Sequence, residues 1–183
     1  MAVTVGRQEA LEVLQQLNHA LSRPVWLFGG VAVDFLVGRW TRPHHDIDLN
    51  AYDEDREALT RELRGLGFHT ADEGWLTHWA LPGRPWRLEV VFLERSAPNT
   101  GTLVIPPDAS VGRPGRYELP PHHLHPDRFG SIDHVQFRVC SPEGEWLTRT
   151  TSNQVVAGRT SEPKIEHDLK LLDDLLRPGQ HDP

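Results

Sequence analysis

The sequence is poor in cysteine, with Cys140 alone among 183 residues, and it holds one methionine and two tyrosines. A single cysteine excludes an intrachain disulfide framework and suits a reducing compartment. No apolar run approaches the roughly 20 residues that a membrane-spanning helix needs. Met1 to Arg7 has neither the basic start nor the apolar centre of a secretory signal. The expected setting is therefore cytoplasmic, with no membrane partner. A basic stripe is also missing, since 26 acidic side chains outnumber 19 basic ones and the net charge is −7. Binders of nucleic acid draw affinity from neutralising phosphates, so this balance argues against such a partner. It suits a cationic small molecule, although an acidic surface also serves solubility alone.

What is present is ordinary for a globular chain: 38% hydrophobic and 25% charged residues, in a length that fits one domain or a core with a small appendage. Leu11, Leu14, Leu17 and Leu21 recur at helical spacing over Glu9 to Leu21, and Arg23-Pro24 ends that helix. Val25 to Phe28 reads as a short buried strand entering the tight turn Gly29-Gly30, followed by a short helix over Val31 to Val37. Asp46 to Ala51 alternates polar and apolar residues, as a half-buried strand does. Asp53-Glu54-Asp55 opens a second amphipathic helix carrying Ala58, Leu59, Leu63 and Leu66, with acids at its positive end. Two strands, Leu76 to Leu81 and Trp86 to Leu93, flank the hairpin Pro82-Gly83-Arg84-Pro85. Ser96 to Gly115 and Leu119 to Gly130 are rich in Pro and Gly and read as irregular, with strand-like pieces between and after them, chiefly Asp133 to Cys140. Pro142-Glu143 suits the first turn of a helix, Pro163 to Leu176 forms a last one, and Arg177 to Pro183 is expected to fray. The expected division is a core over residues 1–95 carrying the metal site and a smaller acceptor-binding part over 96–183.

Three features bear chemistry. Gly29-Gly30 lies between a strand and a helix, where a backbone without β-carbons and free N–H groups can approach phosphate. Alone, such a pair is more often only a turn. Asp46 and Asp48 share one face of their strand while Ile47 and Leu49 enter the core. Paired carboxylates repel by about 4 kcal/mol at 4 Å for an effective dielectric of 20. A hard divalent cation such as Mg²⁺ removes that penalty; a solvated strand face is the plainer alternative. Glu89 stands inside the apolar run Arg87-Leu88-Glu89-Val90-Val91-Phe92-Leu93. Carboxylates are seldom buried unless paired or bound to metal, so Glu89 either joins a metal site as general base or faces water on an edge strand.

Together these features carry a resemblance. Trp26-Leu27-Phe28-Gly29-Gly30-Val31-Ala32-Val33-Asp34, then Gly38-Arg39-Trp40-Thr41-Arg42-Pro43-His44-His45-Asp46-Ile47-Asp48-Leu49, resembles the signature of the DNA polymerase β-like nucleotidyltransferase superfamily. Within it the sequence is most like the aminoglycoside and lincosamide nucleotidyltransferase branch. Pro163-Lys164 and His167-Asp168-Leu169 loosely resemble that branch's C-terminal Lys and Asp-Leu pattern. The resemblance implies an α+β fold, a mixed twisted sheet flanked by helices with a smaller C-terminal part. It implies two Mg²⁺ ions on Asp46, Asp48 and Glu89, a nucleoside triphosphate donor (ATP or another NTP), and Glu89 as base where many members have Asp. Gly29, Gly30, Arg42, His44 and Lys164 would serve the donor's phosphates, and Asp34 would be a structural hydrogen-bonder. Arg39 would pair structurally or touch nucleotide. Asp168 would orient Lys164 or face water.

The histidines of Pro-Pro-His-His-Leu-His-Pro (His122, His123 and His125) offer zinc ligands with no recognisable closed spacing, or a loop lining the acceptor pocket. Trp75, Trp79 and Trp86 read as core, with stacking on a sugar or base open. The expected activity is transfer of AMP from ATP to a hydroxyl of a small cationic antibiotic, an aminoglycoside first, with pyrophosphate released. Glu118, Asp127, Asp133 and Glu143 are candidate acids for its site. Two alternatives stand beside it: a toxin that nucleotidylates transfer RNA or protein, and a non-catalytic nucleotide sensor. A homodimer that completes the pocket is open, because the chain is short for two lobes.

Overall fold

The computed structural model describes residues 4–72, 74–155 and 162–177. Helix α1 (Arg7–Ala20) buries Ala10, Leu11, Val13, Leu14 and Leu17 on one face, as the leucine spacing requires. Strand β1 (Trp26–Phe28) runs directly into helix α2 (Gly29–Val37). The helix thus starts at the first glycine, two residues earlier than the apolar pattern indicated. Gly29 takes φ +74°, a value that side chains other than glycine rarely adopt. Strand β2 (Asp46–Tyr52) leads through one 3-10 turn at Asp53–Asp55 into helix α3 (Arg56–Gly65), which buries Leu59 and Leu63. The three acids therefore precede this helix and do not form its first turn.

Strands β3 (Leu76–Ala80) and β4 (Arg87–Ala97) form the expected hairpin, and β4 lies parallel to β2. Parallel neighbours need a crossover, and α3 is its helical part. β1 pairs antiparallel on the other edge of β2. Beyond Glu94 the segment expected to be irregular continues the same sheet: β4 runs to Ala97, β5 (Thr100–Ile105) folds back on it, and β6 (Gly115–Glu118) pairs with β5. Asn99, at φ +62°, makes the tight reversal after Pro98. The prolines punctuate these strands without lying inside them, which is why composition hid them. The order β1-β2-β4-β5-β6, with β3 on β4, makes a six-stranded mixed sheet.

A separate hairpin joins β7 (Phe129–Ile132) to β8 (Val135–Arg138). Asp133, expected in a strand, occupies its turn at φ +53°. Helices α4 (Pro142–Val155) and α5 (Pro163–Leu176) follow. Arg177 begins the expected frayed tail, and residues 178–183 lie outside the described residues.

Strand alternation divides the side chains between two faces. Ile47, Leu49, Ala51, Leu88, Val90 and Phe92 enter the larger core with α1, α2 and α3. Trp79 and Trp86 are buried there, whereas Trp75 packs on a smaller cluster around Trp26, Tyr52, Val91, Leu93, Leu124 and Cys140. The acids of β2 and β4 fall on that second face.

Candidate active site

Register decides the meeting of the three acids. Asp48 stands opposite Glu89 across the parallel pair and opposite Phe28 on the β1 side, with Asp46 two residues back on the same face. One carboxylate oxygen from each of Asp46, Asp48 and Glu89 lies within 4.8 Å of the others. Burial, then the charges of Asp46, Glu89 and Glu145, hold the Asp48 carboxyl well above the usual carboxylate range, against the opposing charge of Arg149. An anion so placed lacks an adequate counter-charge, and a hard divalent cation is the group that would supply it.

The glycine turn touches this centre directly. A β-carbon at Gly29 would collide with the Asp48 carboxylate, and one at Gly30 with the Arg42 guanidinium and the His44 ring. Both positions need glycine for space, and Gly29 needs it for conformation as well. The Gly29 N–H is already engaged, donating to Oε2 of Glu145 at 3.0 Å.

Arg42 and His44 are held by the protein. Arg42 donates to Asp168 through Nε (3.0 Å) and Nη2 (2.9 Å), a forked pair, and through Nη1 to Nδ1 of His44 at 3.0 Å. His44 is buried, with Nε2 2.8 Å from Oδ2 of Asp34. Arg42 can only donate and a carboxylate can only accept, so the imidazole carries its proton on Nε2. Asp34 also accepts from the Thr41 backbone N–H (3.0 Å) and hydroxyl (2.5 Å), the structural role expected of it.

Asp168 neither orients Lys164 nor faces water. It is buried between Arg42 and Arg149; burial works to raise its pKa, but hydrogen bonds from Arg42 and the charge of Arg149 outweigh it and hold the carboxyl below its ordinary value. Lys164 lies on the exposed side of α5, 2.9 Å from Glu162.

Sequence reasoning missed Glu145 and Arg149. Their i, i+4 spacing behind Pro142 was the available signal, but nothing local shows that this helix turns them inward. Burial raises the Glu145 carboxyl despite Arg149 and the Gly29 N–H. For Arg149, burial opposes the charged form, and the charges of Glu145 and Asp168 overcome it and raise the pKa. Also missed was His78 of β3, whose Nδ1 lies 2.6 Å from Asp72 and whose Nε2 lies 3.6 Å from Oε1 of Glu89.

The three loop histidines do not converge as a zinc site. His122 is exposed at φ +60°, while His123 is buried beside Ser141 and its pKa is lowered by burial and Arg128 to about 4. His123 lies instead near Cys140 and Glu145. Cys140 accepts from Asn50 at 3.2 Å, and Glu145 serves Gly29 and Arg149, so internal partners already occupy those ligand atoms.

A glycine turn closing onto Asp48, one of two aspartates on a single strand beside a mixed sheet, is the arrangement that the resemblance to nucleotidyltransferases implies. Comparison with known proteins narrows it. Residues 9–91 match the aminoglycoside-2''-adenylyltransferase family. A 56-residue stretch is 43% identical to 2''-aminoglycoside nucleotidyltransferases of Escherichia coli and Klebsiella pneumoniae, covering 29% of this chain and 32% of the length of those relatives. The aligned stretch thus spans about a third of the curated relatives it matches. Among solved structures, lincomycin-bound LnuA, a lincosamide antibiotic adenylyltransferase, is similar with a TM-score of 0.69 and 18% identity, over 94% of this chain and 99% of that one. ANT(2'')-Ia in complex with adenylyl-2''-tobramycin has a TM-score of 0.68 and 21% identity, over 92% and 90%. The fold is theirs, and the likeness to the aminoglycoside and lincosamide branch read from the motifs is borne out.

Proposed function

We propose that this chain transfers a nucleoside monophosphate, AMP from ATP, to a hydroxyl of a small polycationic acceptor of the aminoglycoside kind, releasing pyrophosphate. The observation that carries the reading is the convergence of Asp46, Asp48 and Glu89 within 4.8 Å, against a glycine turn that has no room for a side chain. Hard oxygen donors at this spacing, one of them destabilised as a bare anion, fit Mg²⁺, with two ions the expected number. When bound, magnesium supplies neutralisation of the charge on the donor's phosphates.

The chain's own residues account for the rest. Gly29 and Gly30 let the Asp48 carboxylate and the Arg42 guanidinium close on the turn where the donor's phosphates are expected. Glu89 accepts the proton of the acceptor hydroxyl as that oxygen bonds to the α-phosphorus. The bond from phosphorus to the bridging oxygen breaks, and pyrophosphate leaves in line. Lys164 serves as a counter-charge for pyrophosphate once it exchanges its surface partner Glu162. The net charge of −7 favours a polycation, as does the sequence likeness to 2''-aminoglycoside nucleotidyltransferases. Among the described residues no helix is long and apolar enough to cross a membrane. Sedimentation with and without acceptor tests whether a second copy completes the acceptor side.

The test is pyrophosphate release from ATP and Mg²⁺ with panels of aminoglycosides and lincosamides, followed by mass spectrometry of the acceptor. One added nucleotide residue on an aminoglycoside is expected; silence on both panels removes the assignment.

A further inference from the structure

Four charged side chains run in alternating sign from one glycine of the turn to the other. Glu145 accepts from the Gly29 N–H at 3.0 Å, and Arg149 reaches Glu145 with Nη1 at 2.5 Å and Asp168 with Nη2 at 3.1 Å. Asp168 holds Arg42 in a forked pair, and Arg42 lies over Gly30 where a β-carbon would be. Glu145 is 1% exposed and Asp168 3%. We propose that Glu145 and Arg149 are positioning residues for the donor's triphosphate, fixing the Gly29-Gly30 turn from the C-terminal helices through this chain of ion pairs. The proposal rests on the nucleotidyl-transfer reading above.

Two physical reasons support it. A glycine pair has the largest conformational freedom of any dipeptide, so a turn built from it needs outside partners to hold one geometry before a ligand arrives. A buried carboxylate on the Gly29 N–H supplies one such partner, and the Arg42 guanidinium packed on Gly30 supplies the other. Charge is the second reason. Glu145 is bonded to the Gly29 N–H, and Gly29 itself lies against the Asp48 carboxylate, so an unneutralised Glu145 would add a fourth anion beside the incoming triphosphate. Arg149 cancels it, and the two acids and two arginines sum to zero. The turn is thereby held without raising the negative charge that the donor must meet.

The test uses the full chain with Mg²⁺ and α,β-methylene-ATP, a donor analogue that cannot be split at the reacting bond, in calorimetric titration beside steady-state kinetics. Glu145→Ala should weaken analogue binding and raise the donor KM about tenfold, leaving the acceptor KM within twofold. Glu145→Gln keeps an acceptor for Gly29 and should recover most of the loss. Arg149→Lys keeps the charge but cannot fork between Glu145 and Asp168, so it should weaken analogue binding at least threefold, which keeps the test open should the alanine variant not fold. A merely structural role would reduce the active fraction, lowering kcat with donor affinity unchanged, and that result overturns the proposal. No analogue binding by the unaltered protein overturns it as well. Analogue binding without transfer to any acceptor sinks the function proposed above while leaving the calorimetric comparison intact.

Discussion

Replacing Asp48 by Asn should make the metal-free protein more stable and inactive at once. Asp48 sits within 4.8 Å of two other carboxylates and is raised in pKa by burial and by Asp46, Glu89 and Glu145. Two unit charges about 5 Å apart interact by roughly 3 kcal/mol at an effective dielectric of 20. The three acids are only partly buried, so screening reduces the net relief to about 1–3 kcal/mol. For a chain of this length that is an increase in Tm of roughly 2–10 °C in chelator. Magnesium should stabilise the unaltered protein and shift the variant little, because the gain on binding is the same repulsion removed by another route. The sign with pH follows. A carboxyl whose folded pKa is raised holds its proton longer in the folded chain, so stability falls as pH climbs from the ordinary value of 3.8 toward the raised one. The variant should lose that decline. Differential scanning calorimetry in chelator and in magnesium, paired with pyrophosphate release, reads each part. A lower Tm for Asp48→Asn in chelator, or an equal magnesium shift in both proteins, would refute the reasoning.

Gly29→Ala forces a side chain into a left-handed backbone at a cost of about 1–2 kcal/mol, and it also drives the Asp48 carboxylate aside. Activity should fall about a hundredfold, as displacement of a reacting group by an ångström does, and a melt beside a rate measurement separates the two effects. Asp168→Asn leaves Arg42 and Arg149 without their shared carboxylate and should cost about 3 kcal/mol in urea unfolding at pH 7. Because the folded pKa of Asp168 is depressed, its stabilisation is present above the ordinary carboxylate value and disappears as pH falls through the depressed one; the variant should show a flatter acid limb. His123, at about 4 in the folded chain against 6.5 when free, should withdraw up to about 3 kcal/mol as pH falls from 6.5 toward 4, since the unfolded chain takes the proton first. Melts of His123→Gln between pH 7.5 and 4.5 should lack that component.

The features legible beforehand were those that local rules enforce. Leucine spacing marked α1, alternation put Asp46 and Asp48 on one face, and an acid inside an apolar run singled out Glu89. The strands β5 and β7 were not legible, because they are short, each carries a glycine (Gly101 and Gly130), and the prolines in the adjoining turns dominate the composition. The loop histidines looked like neighbours in sequence, yet the fold buries His123 and leaves His122 in solvent.

By itself the sequence determined the residue types, the glycine turn, the face on which two aspartates stand and the apolar strand that carries a third acid, because each depends on a period of two or on backbone freedom. Only tertiary structure decided that Glu89 stands opposite Asp48, since pairing register is a property of two strands brought together through a crossover. It alone brought Glu145 and Arg149, more than a hundred residues along the chain, to the glycine turn. Buried charge must find buried counter-charge, and where in the chain that partner lies is set by the packing of helices on the sheet and by no local pattern.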